Sequence, residues 1–134
     1  MFEIRQASYR PWLLVKVVAI LSLGLAGCGR GLATYPAKGK VVIKGGRPVA
    51  SGGRIEFQST SDPQAKATGW IDFTTGRFSL TTHREGRAVE GAVVGTHRVV
   101  VELRDPVAVV NLSNVYTVEP RENEFTIELP KRRR

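Results

Sequence analysis

Gly69-Trp70-Ile71-Asp72-Phe73-Thr74-Thr75-Gly76-Arg77-Phe78-Ser79-Leu80-Thr81 reads as two short alternating runs on either side of a tight turn. Ile71 and Phe73 share one face of the first run, and Phe78 and Leu80 share one face of the second. Successive side chains of a strand point to opposite faces, so a period of two is the mark of a half-buried β-strand. Thr74-Thr75-Gly76 supplies turn residues between the runs. The stretch predicts a β-hairpin.

The same pattern continues on both sides. Upstream, Lys40-Val-Val-Ile-Lys44 is a β-branched run stopped by Gly45-Gly46-Arg47-Pro48, and Arg54-Ile-Glu-Phe-Gln58 places Ile55 and Phe57 on one face. Downstream, Thr96-His-Arg-Val-Val-Val-Glu-Leu103 is the longest strand expected, with Val99, Val101 and Leu103 inward. Val115–Val118 is a weaker strand, and Glu124–Leu129 alternates strictly through Phe125, Ile127 and Leu129. About seven short strands at regular spacing, with no helical period after the first thirty residues, predict an all-β sandwich.

The chain has 134 residues, a formal charge of +8 and a single cysteine. Half of that charge lies in Lys131, Arg132, Arg133 and Arg134 at the C-terminus, and only +2 belongs to the body from Cys28 to Pro130. No basic stripe or RNA-type aromatic motif accompanies it, so nucleic acid is not an expected partner. The lone cysteine excludes an internal disulfide, and its position explains it. Arg5, Arg10 and Lys16 precede an uncharged run from Val17 to Gly27. That run is too short for a spanning helix, which needs about 20 residues, but suits the apolar region of a secretory signal.

Leu25-Ala26-Gly27-Cys28 follows at once and resembles the lipobox of bacterial lipoproteins. The resemblance implies cleavage before Cys28, a diacylglyceryl thioether on its sulfur and a further fatty acyl chain such as palmitate. Two or more chains give stable anchoring where one gives only marginal binding. The expected organisation is a signal peptide at 1–27, a tether at 28–37, a sandwich at 38–129 and a basic tail at 130–134. The expected place is the cell envelope, on the periplasmic or outer side of a membrane.

Tyr35-Pro-Ala-Lys-Gly-Lys-Val41, Gly45-Gly46-Arg47-Pro48-Val49, Ile55-Glu-Phe57, Gly76-Arg77-Phe78-Ser79-Leu80, Glu90-Gly-Ala-Val-Val-Gly95 and His97-Arg-Val99 occur in that order. Together they resemble the small lipoproteins of planctomycete-type bacteria that carry a carboxypeptidase-regulatory-like, transthyretin-like domain. The likeness implies an antiparallel Greek-key sandwich with no catalytic residues, serving as a structural, adhesive or carbohydrate-contacting module. Members of that family hold a longer segment with an Ile-Pro-x-x-Tyr element before the last two strands. Here Asp105–Asn114 is shorter and lacks it.

Chemistry-bearing constellations are sparse. His83 and His97 stand without metal-ligand spacing. His97 shares the parity of Val99, Val101 and Leu103 and reads as a strand-end residue; His83 reads as a solvated loop residue. Asp62 and Asp72 do not form an EF-hand. No Gly-x-Ser-x-Gly elbow occurs, and Gly45-Gly46 and Gly52-Gly53 lack the spacing and helix of a phosphate loop. No enzyme activity, metal or cofactor is therefore expected.

Two aromatic residues remain as candidate contacts. Trp70 has opposite parity to Ile71 and Phe73, so it lies either outward with Asp72 or partly within the core, where tryptophan is usually found. Tyr116 is a second outward candidate. Lys131–Arg134 could meet an anionic wall polymer or lipid headgroups, or simply be a solvated end. The expected partners are thus a membrane through Cys28 and an envelope protein or glycan. The leading expectation is a non-enzymatic interaction or structural module, its rival is a glycan-binding module using exposed aromatics, and a third alternative is an accessory subunit of an envelope enzyme complex.

Overall fold

A computed structural model describes residues 33–49, 51–105 and 107–131. The signal segment, the lipobox Leu25-Ala26-Gly27-Cys28 and the tail residues Arg132, Arg133 and Arg134 lie outside the described residues. The strands are β1 Thr34–Tyr35, β2 Ala37–Ile43, β3 Arg47–Pro48, β4 Gly53–Ser59, β5 Lys66–Ile71 and β6 Arg77–Ser79. They continue as β7 Thr81–Arg84, β8 Arg87–Glu90, β9 Ala92–Val93, β10 Gly95–Arg104, β11 Val107–Val118 and β12 Asn123–Leu129.

The fold is all-β. A six-stranded sheet runs in the order β11-β10-β4-β5-β7-β8, and every neighbouring pair in it is antiparallel. A four-stranded sheet is built around β2, which pairs with β12, β3 and β6. A small ribbon joins β1 to β9. Ile55, Phe57, Ala67, Ile71, Val99 and Val101 from the large sheet pack against Val41, Phe78, Ile127 and Leu129 from the smaller one. Phe57 sits at the centre, its ring centroid 5.2 to 6.3 Å from those of Phe78, His97, Tyr116 and Phe125. Each fully buried side chain of this kind contributes about 1.5–3 kcal/mol of transfer free energy.

The alternation expected for Ile55/Phe57, Val99/Val101 and Ile127/Leu129 is present, with each of these residues at 5% exposure or less. Three expectations are corrected. The stretch from Gly69 to Thr81 is a corner rather than a hairpin. Asp72 N–H donates to the Arg77 carbonyl, and Gly76 N–H to that of Asp72, both at 2.9 Å. Beyond the turn, however, β6 pairs with β2 in the other sheet. The chain then crosses back at buried Leu80, and β7 pairs with β5. Gly69 permits this crossing, because a Cβ there would stand 2.4 Å from the Ser79 carbonyl oxygen.

The sandwich is also not wholly antiparallel, since β12 and β2 run parallel from Asn123↔Ala37 to Leu129↔Ile43. The strand expected at Val115–Val118 is longer: β11 begins at Val107, takes in most of Asp105–Asn114 and pairs with β10 along most of its length. β1 and the first residue of β2 precede Lys38. Thr34 and Tyr35 pair with Val93 and Ala92, and Ala37 is a buried core residue.

Candidate functional site

The inward positions of β5 are Ala67, Gly69 and Ile71, which leaves Trp70 facing away from the core. It is 68% exposed, the outward alternative of the two its parity allowed. Its cross-strand neighbour on β4 is Arg54, whose own neighbour on β10 is Glu102, whose neighbour on β11 is Val109. These four side chains form a row across the outer face of the large sheet.

Polar contacts hold the middle of this row in place. Arg54 Nη2 lies 3.2 Å from Glu102 Oε1 and 3.7 Å from Glu56 Oε2. Gln58 Nε2 donates to Glu56 Oε1 at 2.7 Å, and Lys66 Nζ stands 3.9 Å from the same oxygen. At the end of the row the Arg104 guanidinium lies 5.4 Å from the centroid of the Trp70 ring. A cation–π contact of this kind at an exposed site stabilises by about 0.5–1 kcal/mol.

Three shallow clefts meet at Trp70. One, of 390 Å³, is bounded by Arg54, Glu102, Arg104, Val107 and Val109. A second, of 540 Å³, runs along Ser51–Gly53 to Phe73 and Asp105, and a third, of 240 Å³, opens toward Lys38, Arg77, Ser79 and Glu124. Val107, Val109 and Phe73 are exposed around the indole, so apolar and charged groups alternate on the surface. Phe73 had been expected to share the inward face of Ile71; it is 67% exposed because the turn begins there and ends the pleat.

Tyr116 does not join this surface. It is half-buried on the inner side of β11, 6.0 Å from the Phe57 ring and edge-on to Phe125 at 6.1 Å. Burial pushes its phenol pKa upward. Lys131 is exposed, at the end of the described chain.

The two histidines have different surroundings. His83 is on β7, exposed, opposite Lys66 and Ala88. His97 is fully buried, with Nε2 donating to the Val93 carbonyl at 2.7 Å and Nδ1 left without a partner. Burial lowers its pKa, outweighing the Val93 and Phe57 carbonyls that favour the charged ring. Asp72 is a turn residue: its Oδ1 accepts the amides of Thr74 and Thr75 at 2.8 and 2.9 Å. The Thr74 hydroxyl donates to the same oxygen, and these bonds hold the carboxyl pKa at about 2.

Among the described residues, no group of three or more His, Cys, Asp and Glu could hold a metal ion. Sequence reasoning singled out Trp70 but missed Arg54, Glu102, Arg104, Val107 and Val109. Register alone assembles them, and only the outward parity of Arg54 and Glu102 was visible beforehand. The sequence matches no protein-family model, and no curated protein or solved structure is significantly similar to it.

Proposed function

We propose that this chain is a cell-envelope lipoprotein, anchored through Cys28, whose β-sandwich is a non-enzymatic interaction module with the Trp70 surface as its contact face. The supporting observation is the exposure of Trp70 at the junction of three clefts, on a sheet face where charged and apolar side chains alternate. Leaving an indole in water forgoes about 1.5–3 kcal/mol of burial, the value for a large apolar side chain. A contact made at that position recovers it. The ordered motifs shared with planctomycete-type lipoproteins, and the lipobox at 25–28, support the envelope location.

With Thr34 already paired to Val93, the tether from Cys28 shortens to about six residues, a reach of about 20 Å when extended. In this reading the module works close against its own bilayer. Intact-mass analysis of the membrane fraction tests the anchor: a chain beginning at residue 28 with added acyl mass supports it, and an unmodified chain refutes it. Co-sedimentation with isolated envelopes, using an unlipidated Cys28→Ala chain, tests the contact face. Trp70→Ala in that background is expected to abolish sedimentation, and undiminished sedimentation refutes the assignment.

A further inference from the structure

We propose that the Trp70 face binds an uncharged linear polysaccharide lying across the strands of the large sheet. The proposal rests on the reading of this face as the contact surface and names its ligand. What carries it is the row Val109–Glu102–Arg54–Trp70, contributed by β11, β10, β4 and β5. Neighbouring strands lie about 4.8 Å apart, so the row extends about 14 Å. That spacing is close to the length of one sugar residue in an extended chain, and the row accommodates a short run of them.

Each part of the row matches a part of a pyranose. The ring's axial C–H groups form an apolar face, which the exposed indole can cover. Its rim carries neighbouring hydroxyls that both donate and accept, and Arg54 and Glu102 offer a donor and an acceptor side by side, 3.2 Å apart. Arg104 against the indole restricts its rotamers, which lowers the ordering cost of binding.

Charge selects among saccharides. Arg54, at the centre of the row, is already paired with Glu102 in the row and Glu56 beside it, so a uronate or sulfate laid there would meet their carboxylates. Arg104 at the end of the row is held against the indole. The Arg54–Glu102 pair at the centre of the row disfavours a protein partner, because the buried centre of a protein interface is depleted of charged residues.

The test is native affinity electrophoresis of the full chain in detergent. The gels carry cellulose-type glucan, β-1,3-glucan, xylan or mannan, with polygalacturonate as the charged comparison. Retardation by at least one neutral polymer, unchanged from low to high salt, is expected. Trp70→Ala should weaken it about tenfold or more, equivalent to about 1.4 kcal/mol. Trp70→Phe should keep part of it, and Arg54→Ala and Glu102→Ala should each reduce it while the urea midpoint stays unchanged.

Retardation by none of the neutral polymers overturns the proposal, as does salt-sensitive retardation by polygalacturonate alone. If Trp70→Ala still abolishes envelope sedimentation while no neutral polymer binds, the contact face stands and its partner is not a neutral polysaccharide. If Trp70→Ala changes neither assay, both readings fall.

Discussion

The two faces of the large sheet are made by alternate residues of the same strands, yet they obey different rules. On β4 and β10 the inner face holds Ile55, Phe57, Val99 and Val101, each at 1% exposure or less. The outer face, one residue away at each step, holds Arg54, Glu56, Val100 and Glu102, half-buried or exposed. The inner side is closed by the second sheet and stabilises the fold through close packing. The outer side has no protein layer over it among the described residues, so its side chains are free to differ without loss of the fold. Folding information and recognition chemistry are therefore separated by parity within single strands.

That separation can be broken by experiment, most severely on the inner face. Phe57→Ala removes the ring around which four others pack, and a cost of about 3–5 kcal/mol is expected. Domains of this size are stable by only about 5–15 kcal/mol, so urea denaturation should show a much-weakened or unfolded protein. A loss below about 1 kcal/mol would mean that the core closes around the gap and the contrast between faces is false.

His97 sharpens the comparison, being a titratable group on the inner side. Its folded-state pKa is lowered, so the unfolded chain binds the extra proton first as pH falls below the ordinary 6.5. Stability is complete above that value and should decline as pH drops toward the lowered folded pKa. Urea midpoints measured at about pH 8 and about pH 5 should differ in the wild type and much less in His97→Gln. A pH-independent wild-type midpoint over that range would contradict the burial of the neutral ring.

A smaller effect is expected at Asp72, exposed in the corner turn. Its lowered pKa means that its contribution is present above 3.8 and is lost as pH falls through about 2. The gap in thermal midpoint between the wild type and Asp72→Asn should close on acidification. A gap that persists in strong acid would assign the effect to something other than the carboxylate.

The smallest effect belongs to the outer face. Trp70→Ala should change stability by no more than about 1 kcal/mol, the upper value of its exposed contact with Arg104. Equilibrium denaturation that showed a loss of several kcal/mol would place Trp70 among the structural residues and remove the basis for a dedicated contact surface.

Much of the inner face was legible in the amino-acid sequence. Strict alternation through Ile55-Phe57, Val99-Val101 and Phe125-Ile127-Leu129 marked strands whose one side is buried. Of β11 only Val115–Val118 was legible, for reasons of position. As an edge strand it has one hydrogen-bonded neighbour, and the inward residues of its first part, Ala108, Val110 and Leu112, are only half-buried. Between Arg98↔Val115 and Val100↔Asn111 it also bulges, so Leu112-Ser113-Asn114 resembles a loop. The corner at Gly69–Thr81 misled differently. A turn sequence states that the chain reverses but not which strand the returning segment will join.

The candidate site shows the same division. The pleat of β5 left Trp70 an outward or inward choice, and packing of Ala67, Gly69 and Ile71 against the second sheet decided it. Arg54, Glu102, Arg104 and Val109 were individually ordinary surface residues in the sequence.

By itself the sequence determined the strand periodicity, much of the buried set and the weak charge of the body, because these depend on local alternation and composition. Only the tertiary structure decided that β12 joins β2 in parallel, that β6 leaves its apparent hairpin, and that four separate strands place their side chains in one row beside an exposed indole. Register between strands is set by how two hydrophobic faces fit together across the whole domain, and no single strand carries that information.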